Sequence, residues 1–348
     1  MSDRARLWEA AARFAADGVA AALATVSRHR GSLPMSTNAK MLVTREGRKM
    51  GTVGGGCVEA DVIQQAIEAI ERGRPAFVQH TLNADVAGDL GLSCGGTVQL
   101  FLEPVLAGPA MAELCMHVAD GIRTRERVAV FTGIEWAGGP RKAARVGQRT
   151  LNAAGNGALP ADEDTWTRDG NTFLDESRSL FVERMPRLPR LVVCGAGHVG
   201  VEIARAAARA GFHVVVADDR EDFANAERIP DAHQIIVGDF SRLFDGFRVD
   251  EDDYVLATTR GHSYDAIIVE RAAQTPAKYV GMLGSRRKKA VIWKALQEAG
   301  VPAHALQRVH CPIGLEIGAD DPAEIAISVV AELIRCRRVG ELLQQTPQ

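Results

Sequence analysis

The chain has 348 residues, an apolar fraction of 46% and a formal net charge of −3. That length and balance suit two globular domains and give no reason to expect nucleic acid or a membrane surface as a partner, the one dense basic cluster being Arg286-Arg287-Lys288-Lys289. The first residues carry no signal-peptide pattern and no apolar run approaches membrane-spanning length, so a cytoplasmic protein is expected.

Residues 4–16 place Leu7, Ala10, Ala11, Phe14 and Ala15 on one stripe, which predicts an amphipathic helix. An apolar run over 20–26 reads as a strand, and 27–36 as a polar loop broken at Gly31 and Pro34. Arg28, His29 and Arg30 in that loop either meet an anion or form a solvated charge run. Residues 40–44 and 49–53 read as a hairpin across a turn at 45–48, and the hairpin delivers Gly54-Gly-Gly-Cys-Val-Glu59. From Val58 the apolar residues Val62, Ile63, Ala66, Ile67 and Ile70 recur at helical spacing, so a strand, a glycine turn and a helix follow in order. Gly54, Gly55 and Gly56 allow positive φ and leave helix-start amides facing an anion, and the same field lowers the pKa of a thiol at Cys57. The alternative is a tight turn holding a small buried cysteine.

A strand is expected over 76–81, then a polar loop ending Gly91-Leu-Ser-Cys-Gly-Gly96, then a strand over 97–103 with Cys94 at its start. Cys57 and Cys94, each flanked by glycine at the end of a regular element, suit a place where backbones approach a ligand closely, or they coincide by chance. The six cysteines are spread too widely for a CxxC metal pair, and disulfides are not expected in a reducing compartment. A helix over 110–122 and a strand over 128–134 lead into a connector rich in Gly, Asn, Asp and Arg, with edge strands at 173–175 and 180–183; Pro186 and Pro189 then mark a boundary. The expected organisation is therefore a first domain over 1–106, a connector with a helix and edge strands over 107–188, and a second domain over 189–340.

That second domain opens with an apolar strand running into Gly195-Ala-Gly-His-Val-Gly200, a long helix, and a strand ending at Asp218. The order predicts a Rossmann-like, doubly wound parallel sheet, with Gly195, Gly197 and Gly200 in the phosphate turn and Asp218 placed for a ribose hydroxyl. Asp218 favours NAD, whereas Arg220 suits the extra phosphate of NADP. His198 opens the helix and faces either a ligand or the packing there. Further strands are expected at 234–237, 254–259 and 278–283. At their carboxyl edge stand His262 with Asp265, either ligand groups or a helix-start turn, and Ser285 with Arg286, which would make a capped helix start suited to phosphate or a solvated first turn. A glycine-punctuated loop at 310–320 precedes a helix from Pro322.

In this order, Gly54-Gly-Gly-Cys-Val-Glu59, Gly91-Leu-Ser-Cys-Gly-Gly96, Gly195-Ala-Gly-His-Val-Gly200, Gly281-Met-Leu-Gly-Ser-Arg286 and Pro312-Ile-Gly-Leu-Glu-Ile-Gly318 with Glu324-Ile-Ala326 resemble the XdhC/CoxI family of xanthine dehydrogenase accessory proteins. The resemblance implies an α/β protein with an N-terminal mixed α/β domain of XdhC/CoxI type and a C-terminal Rossmann-like domain. It also implies a chaperone, rather than a turnover enzyme, that binds molybdenum cofactor and protects it while a cysteine desulfurase supplies the sulfido ligand. Delivery is then to an apo molybdenum hydroxylase. Such cargo is a pterin dithiolene with a terminal phosphate. Cys57 and Cys94 become candidate molybdenum contacts or sulfur carriers, and Arg28, Arg30, the amides of Gly54 to Gly56, and Ser285 with Arg286 become candidate phosphate ligands. The two sulfurs are expected in one accessible hollow, and a homodimer is left open. Two other readings stand beside this one: an NAD(P)-dependent oxidoreductase, and a redox sensor switching through Cys57 and Cys94.

Overall fold

Helix α1 (Asp3–Asp17) precedes strands β1 (Ala21–Gly31), β2 (Lys40–Thr44) and β3 (Lys49–Gly51), the last two joined by the expected turn. The computed structural model describes residues 3–31, 39–82, 96–126, 128–133, 142–145, 172–175, 180–185 and 187–339. The chain divides into two units, Met1–Arg187 and Leu188–Gln348.

In the first unit, β4 (Ala76–Leu82) and β5 (Gly96–Val105) complete an antiparallel sheet of order β3-β2-β1-β5-β4. Alternation sends Ala22, Ala24, Val26, Met41, Val43, Leu100 and Leu102 to one face, where Val58, Val62, Ala66 and Ala69 of α2 (Gly56–Arg72) cover them. The opposite face carries buried polar groups that tie it to other elements. Lys40 pairs with Glu183 at 2.7 Å and lies 4.7 Å from the ring centre of Trp8 on α1, while Thr132 donates to Glu103 at 3.0 Å. Burial pushes the Glu183 carboxyl up despite the Lys40 ammonium.

Two expectations change here. β1 continues through Arg28, His29 and Arg30, which pair with Gln99, Val98 and Thr97 after a register shift between Val26 and Arg28. These residues lack an apolar pattern because Arg28 and Arg30 alternate outward to solvent, so a strand read as a loop. The stretch read as connector holds the expected helix, α3 (Pro109–Arg123), which packs on α1, but its strands join into a second antiparallel sheet. Its strands are β6 (Val128–Gly133), β7 (Lys142–Arg145), β8 (Phe173–Asp175) and β9 (Leu180–Met185), in the order β7-β6-β9-β8. β8 is an edge as expected, but β9 is interior, paired on both sides.

The second unit is a six-stranded parallel sheet covered on both faces. Its strands are β10 (Arg190–Cys194), β11 (His213–Asp218), β12 (Gln234–Val237), β13 (Asp253–Ala257), β14 (Tyr279–Met282) and β15 (Val309–His310). Their order, β12-β11-β10-β13-β14-β15, is the 3-2-1-4-5-6 arrangement of a doubly wound nucleotide fold. One face packs Val192, Val215, Val255 and Val280 against α6 (His262–Ala273) and α7 (Arg286–Glu298). The other packs Leu191, Val214, Val216 and Leu256 against α4 (His198–Arg209) and α9 (Pro322–Val339). The strands buried on both sides, β10, β11, β13 and β14, read as continuous apolar runs, which is why their positions are visible in the sequence. The short α5 (Phe240–Gly246), α8 (Ala303–Gln307) and two-residue β15 escape such a reading because each is too brief to establish a period. No helix among the described residues is long and apolar enough to cross a membrane.

Candidate functional site

The first glycine turn is built by the hairpin β2–β3 and closed by the helix it starts. Gly54, Gly55 and Gly56 take φ of +126°, +78° and +65°. A Cβ on Gly55 or Gly56 would meet nothing within 4 Å, so backbone conformation, not packing, calls for glycine there. Gly55 is the N-cap of α2 and has no side chain to cap with. Glu59, 4% exposed in the first turn, folds back instead: Oε2 accepts from Gly55 N at 3.1 Å and from Thr52 Oγ1 at 2.7 Å, and Oε1 pairs with Lys49. Thr52 Oγ1 in turn accepts from Gly54 N at 3.2 Å. The amides of Gly54 and Gly55, expected to face an anion, are therefore bonded within the protein. A helix leaves its first amides without intrahelical partners, and here that series runs from Gly56 onward.

Cys57 is the second residue of α2. Its side chain and the whole of Cys94 lie outside the described residues, and so does the expected meeting of the two sulfurs. Arg28 and Arg30 are exposed on one side of β1. Glu59 was visible as a carboxylate after the glycines, but its role depends on Lys49 and Thr52, which no spacing rule singles out.

The second turn uses its glycines differently. A Cβ on Gly195 would lie 2.5 Å from Thr258 O, and one on Gly200 would lie 1.9 Å from Gly195 O, so both are fixed by backbone packing. At Gly197 a Cβ would meet nothing, which leaves the turn bare where pyrophosphate approaches in a Rossmann unit. His198 is exposed at the start of α4.

Asp218, at the end of β11, is 1% exposed and accepts four hydrogen bonds. Oδ1 takes Arg220 N at 3.1 Å and Arg220 Nε at 2.8 Å; Oδ2 takes Ala196 N at 2.7 Å and Arg220 Nη2 at 3.0 Å. Burial by itself would raise this carboxyl, but the Arg220 side chain and the two amides outweigh it and hold the group below its ordinary range. The Arg220 guanidinium lies 3.5 Å from the ring centre of Phe223, and Arg260, from the loop after β13, pairs with Asp219 at 3.0 Å. Asp218 and Arg220, both expected to face a nucleotide, are thus turned toward each other.

Farther along the edge, Asp265 is fully buried and accepts from Thr259 N at 3.1 Å and Thr259 Oγ1 at 2.7 Å, while Lys288 pairs with its other oxygen and donates to Leu283 O at 3.0 Å. Asp265 therefore holds a helix start. Ser285 caps α7, accepting from Lys288 N at 3.2 Å, and Arg286 and His262 are exposed at the first positions of α7 and α6. Two thiols of this unit are not primed as nucleophiles: burial pushes Cys311 up to about 11, outweighing Lys289 and Lys288, and pushes Cys194 well up. Among the described residues no group of three His, Cys, Asp or Glu is arranged to hold a metal.

Comparison with known proteins covers both turns. The family model of the XdhC Rossmann domain matches residues 191–333, and that of the XdhC and CoxI family matches residues 14–81. A Bacillus subtilis protein described as a probable xanthine dehydrogenase subunit is 26% identical, over 91% of this chain and 93% of its own. The molybdenum cofactor insertion chaperone PaoD of Escherichia coli is 24% identical, over 93% of this chain and 87% of its own. A crystal structure from Bacillus halodurans, described as a xanthine dehydrogenase, aligns with a TM-score of 0.77 at 27% identity, covering 99% of this chain and 98% of that one.

Proposed function

The chain belongs to the XdhC and CoxI family, and on that premise we propose that it is an accessory protein for a molybdenum hydroxylase of the xanthine dehydrogenase kind. Its cargo is molybdenum cofactor, which it holds and shields while a cysteine desulfurase supplies the sulfido ligand, and then hands to the apo-enzyme. The observation that carries this reading is the near full-length likeness to a molybdenum cofactor insertion chaperone. The bare glycine turn supports it, because space beside Gly55 and Gly56 admits a ligand to the helix start where Cys57 stands.

The cargo sets the chemistry asked of each residue. A thiolate at Cys57, favoured by helix-start amides, is a soft donor for molybdenum or a holder of transferred sulfur, with Cys94 as the second thiol. In the first unit Arg28 and Arg30 offer charge to the terminal phosphate; in the second, the alternative phosphate position is the start of α7, where Arg286 offers charge and Ser285 a hydroxyl. Cys57 is the more important thiol.

The test is expression in a molybdate-fed host and measurement of pterin retained per protein chain, with maturation of a co-expressed target hydroxylase scored in parallel. Cys57→Ala is expected to lose the retained pterin or the sulfuration while its far-UV circular dichroism stays that of the parent. A Cys57→Ala protein that matures its target normally removes the thiol from the mechanism. A parent protein without affinity for molybdopterin removes the carrier reading itself.

A further inference from the structure

A sheet of order 3-2-1-4-5-6 receives a dinucleotide in the crevice between the carboxyl ends of its first and fourth strands, here β10 and β13. Pyrophosphate sits on the bare glycine turn and the ribose diol on the acid ending the second strand, so the adenine must lie beyond them, between the loops after β11 and β13. Of these three provisions only the first is free. Gly197 is bare.

The acid is saturated. A carboxylate has about four lone-pair directions, and Arg220 N, Arg220 Nε, Arg220 Nη2 and Ala196 N occupy Asp218 at 2.7 to 3.1 Å. A ribose hydroxyl could bond there only by displacing one of them from a side chain that is 1% exposed. The slot beyond is bridged as well, because Arg260 from the loop after β13 reaches Asp219 from the loop after β11 at 3.0 Å. An extra 2′-phosphate finds no ready cation either: Arg220 is held by Asp218 and Asp219 and lies on Phe223, and Arg228 donates to Phe223 O at 2.8 Å.

We infer that this nucleotide fold is closed against NAD and NADP by its own residues, with the Arg220 guanidinium standing in for the ribose donors on Asp218 and the Arg260–Asp219 pair latching the adenine slot. Asp218 then serves the glycine loop, through Ala196 N, instead of a cofactor. This goes beyond the carrier function and does not depend on it.

The full chain and its Arg220→Ala/Arg260→Ala variant are titrated with NADH and with NADPH by equilibrium dialysis. The parent is expected to show no saturable binding, and the variant to bind NADH at least about tenfold more tightly, the worth of charged acceptors returned to the ribose. Saturable binding of either dinucleotide by the parent overturns the inference, as does a folded double variant that gains nothing. Should the double variant not fold, the single Arg260→Ala, altering a half-exposed side chain, carries the same comparison with a smaller gain expected.

Discussion

In the N-terminal unit, Gly54, Gly55 and Gly56 take positive φ, the last two beside empty space, whereas in the C-terminal unit Gly195 and Gly200 are pressed against backbone so closely that a Cβ on Gly200 would lie 1.9 Å from a carbonyl oxygen. Each turn leads a strand into a helix, and each has an acid folded onto one of its amides: Glu59 on Gly55 N, Asp218 on Ala196 N. The acids differ in origin. Glu59 comes from the helix's own first turn and meets a half-exposed Lys49, while Asp218 arrives from the next strand and is sealed by Arg220. Gly195 also takes positive φ, at +118°, so what separates the two turns is not the dihedral angle but the backbone pressed against Gly195 and Gly200. Similar letters thus describe one turn open at its helix start and another that is bare only at Gly197, its acid already taken by Arg220.

Four substitutions sharpen that contrast. Gly200→Ala forces a methyl into backbone that cannot move aside, and a loss of more than about 3 kcal/mol, or failure to fold, is expected in urea unfolding; Gly55→Ala meets no atom and should cost only the left-handed penalty, about 1–2 kcal/mol. Equal costs at the two sites would dissolve the distinction.

Asp218→Asn comes next. Removing a charged acceptor of four hydrogen bonds should cost about 2 kcal/mol at neutral pH. Because its folded pKa is depressed below an unfolded value near ~3.9, the wild-type contribution is fully present above that value and is lost as pH falls through the folded pKa. The stability gap between parent and variant should therefore hold down to about pH 4 and shrink as the pH falls further. A gap independent of pH would contradict the buried-carboxylate account. Glu59→Gln is the mildest, about 1 kcal/mol by the same measurement, since an amide oxygen can still accept from Gly55 N and the Lys49 side chain is already half in water. A loss as large as that at Asp218 would make the two acids equivalent.

Much of this architecture could be read along the chain. The helical stripe from Val58 to Ile70, the apolar runs of β10 and β11, and the distance from the glycines to Asp218 are local or periodic signals. β1 beyond Val26 was not readable, because Arg28 to Arg30 become strand only by pairing with Gln99 to Thr97, some seventy residues on. Similarly, β9 carries the pattern of an edge, and only its pairing with β6 and β8 on its two sides makes it interior. The roles of the site residues divide in the same way.

Periodicity, glycine placement and strand-to-acid distance are properties of neighbouring residues, so the chain alone announced a Rossmann unit and a glycine turn ahead of Cys57. Which donors fill Asp218, and whether Arg260 bridges to an acid 41 positions earlier, are decided by side chains that meet only when separate loops converge at one sheet edge. A carboxylate's spare lone pairs leave no trace in spacing; they depend on who else arrives in space, and that is settled by packing.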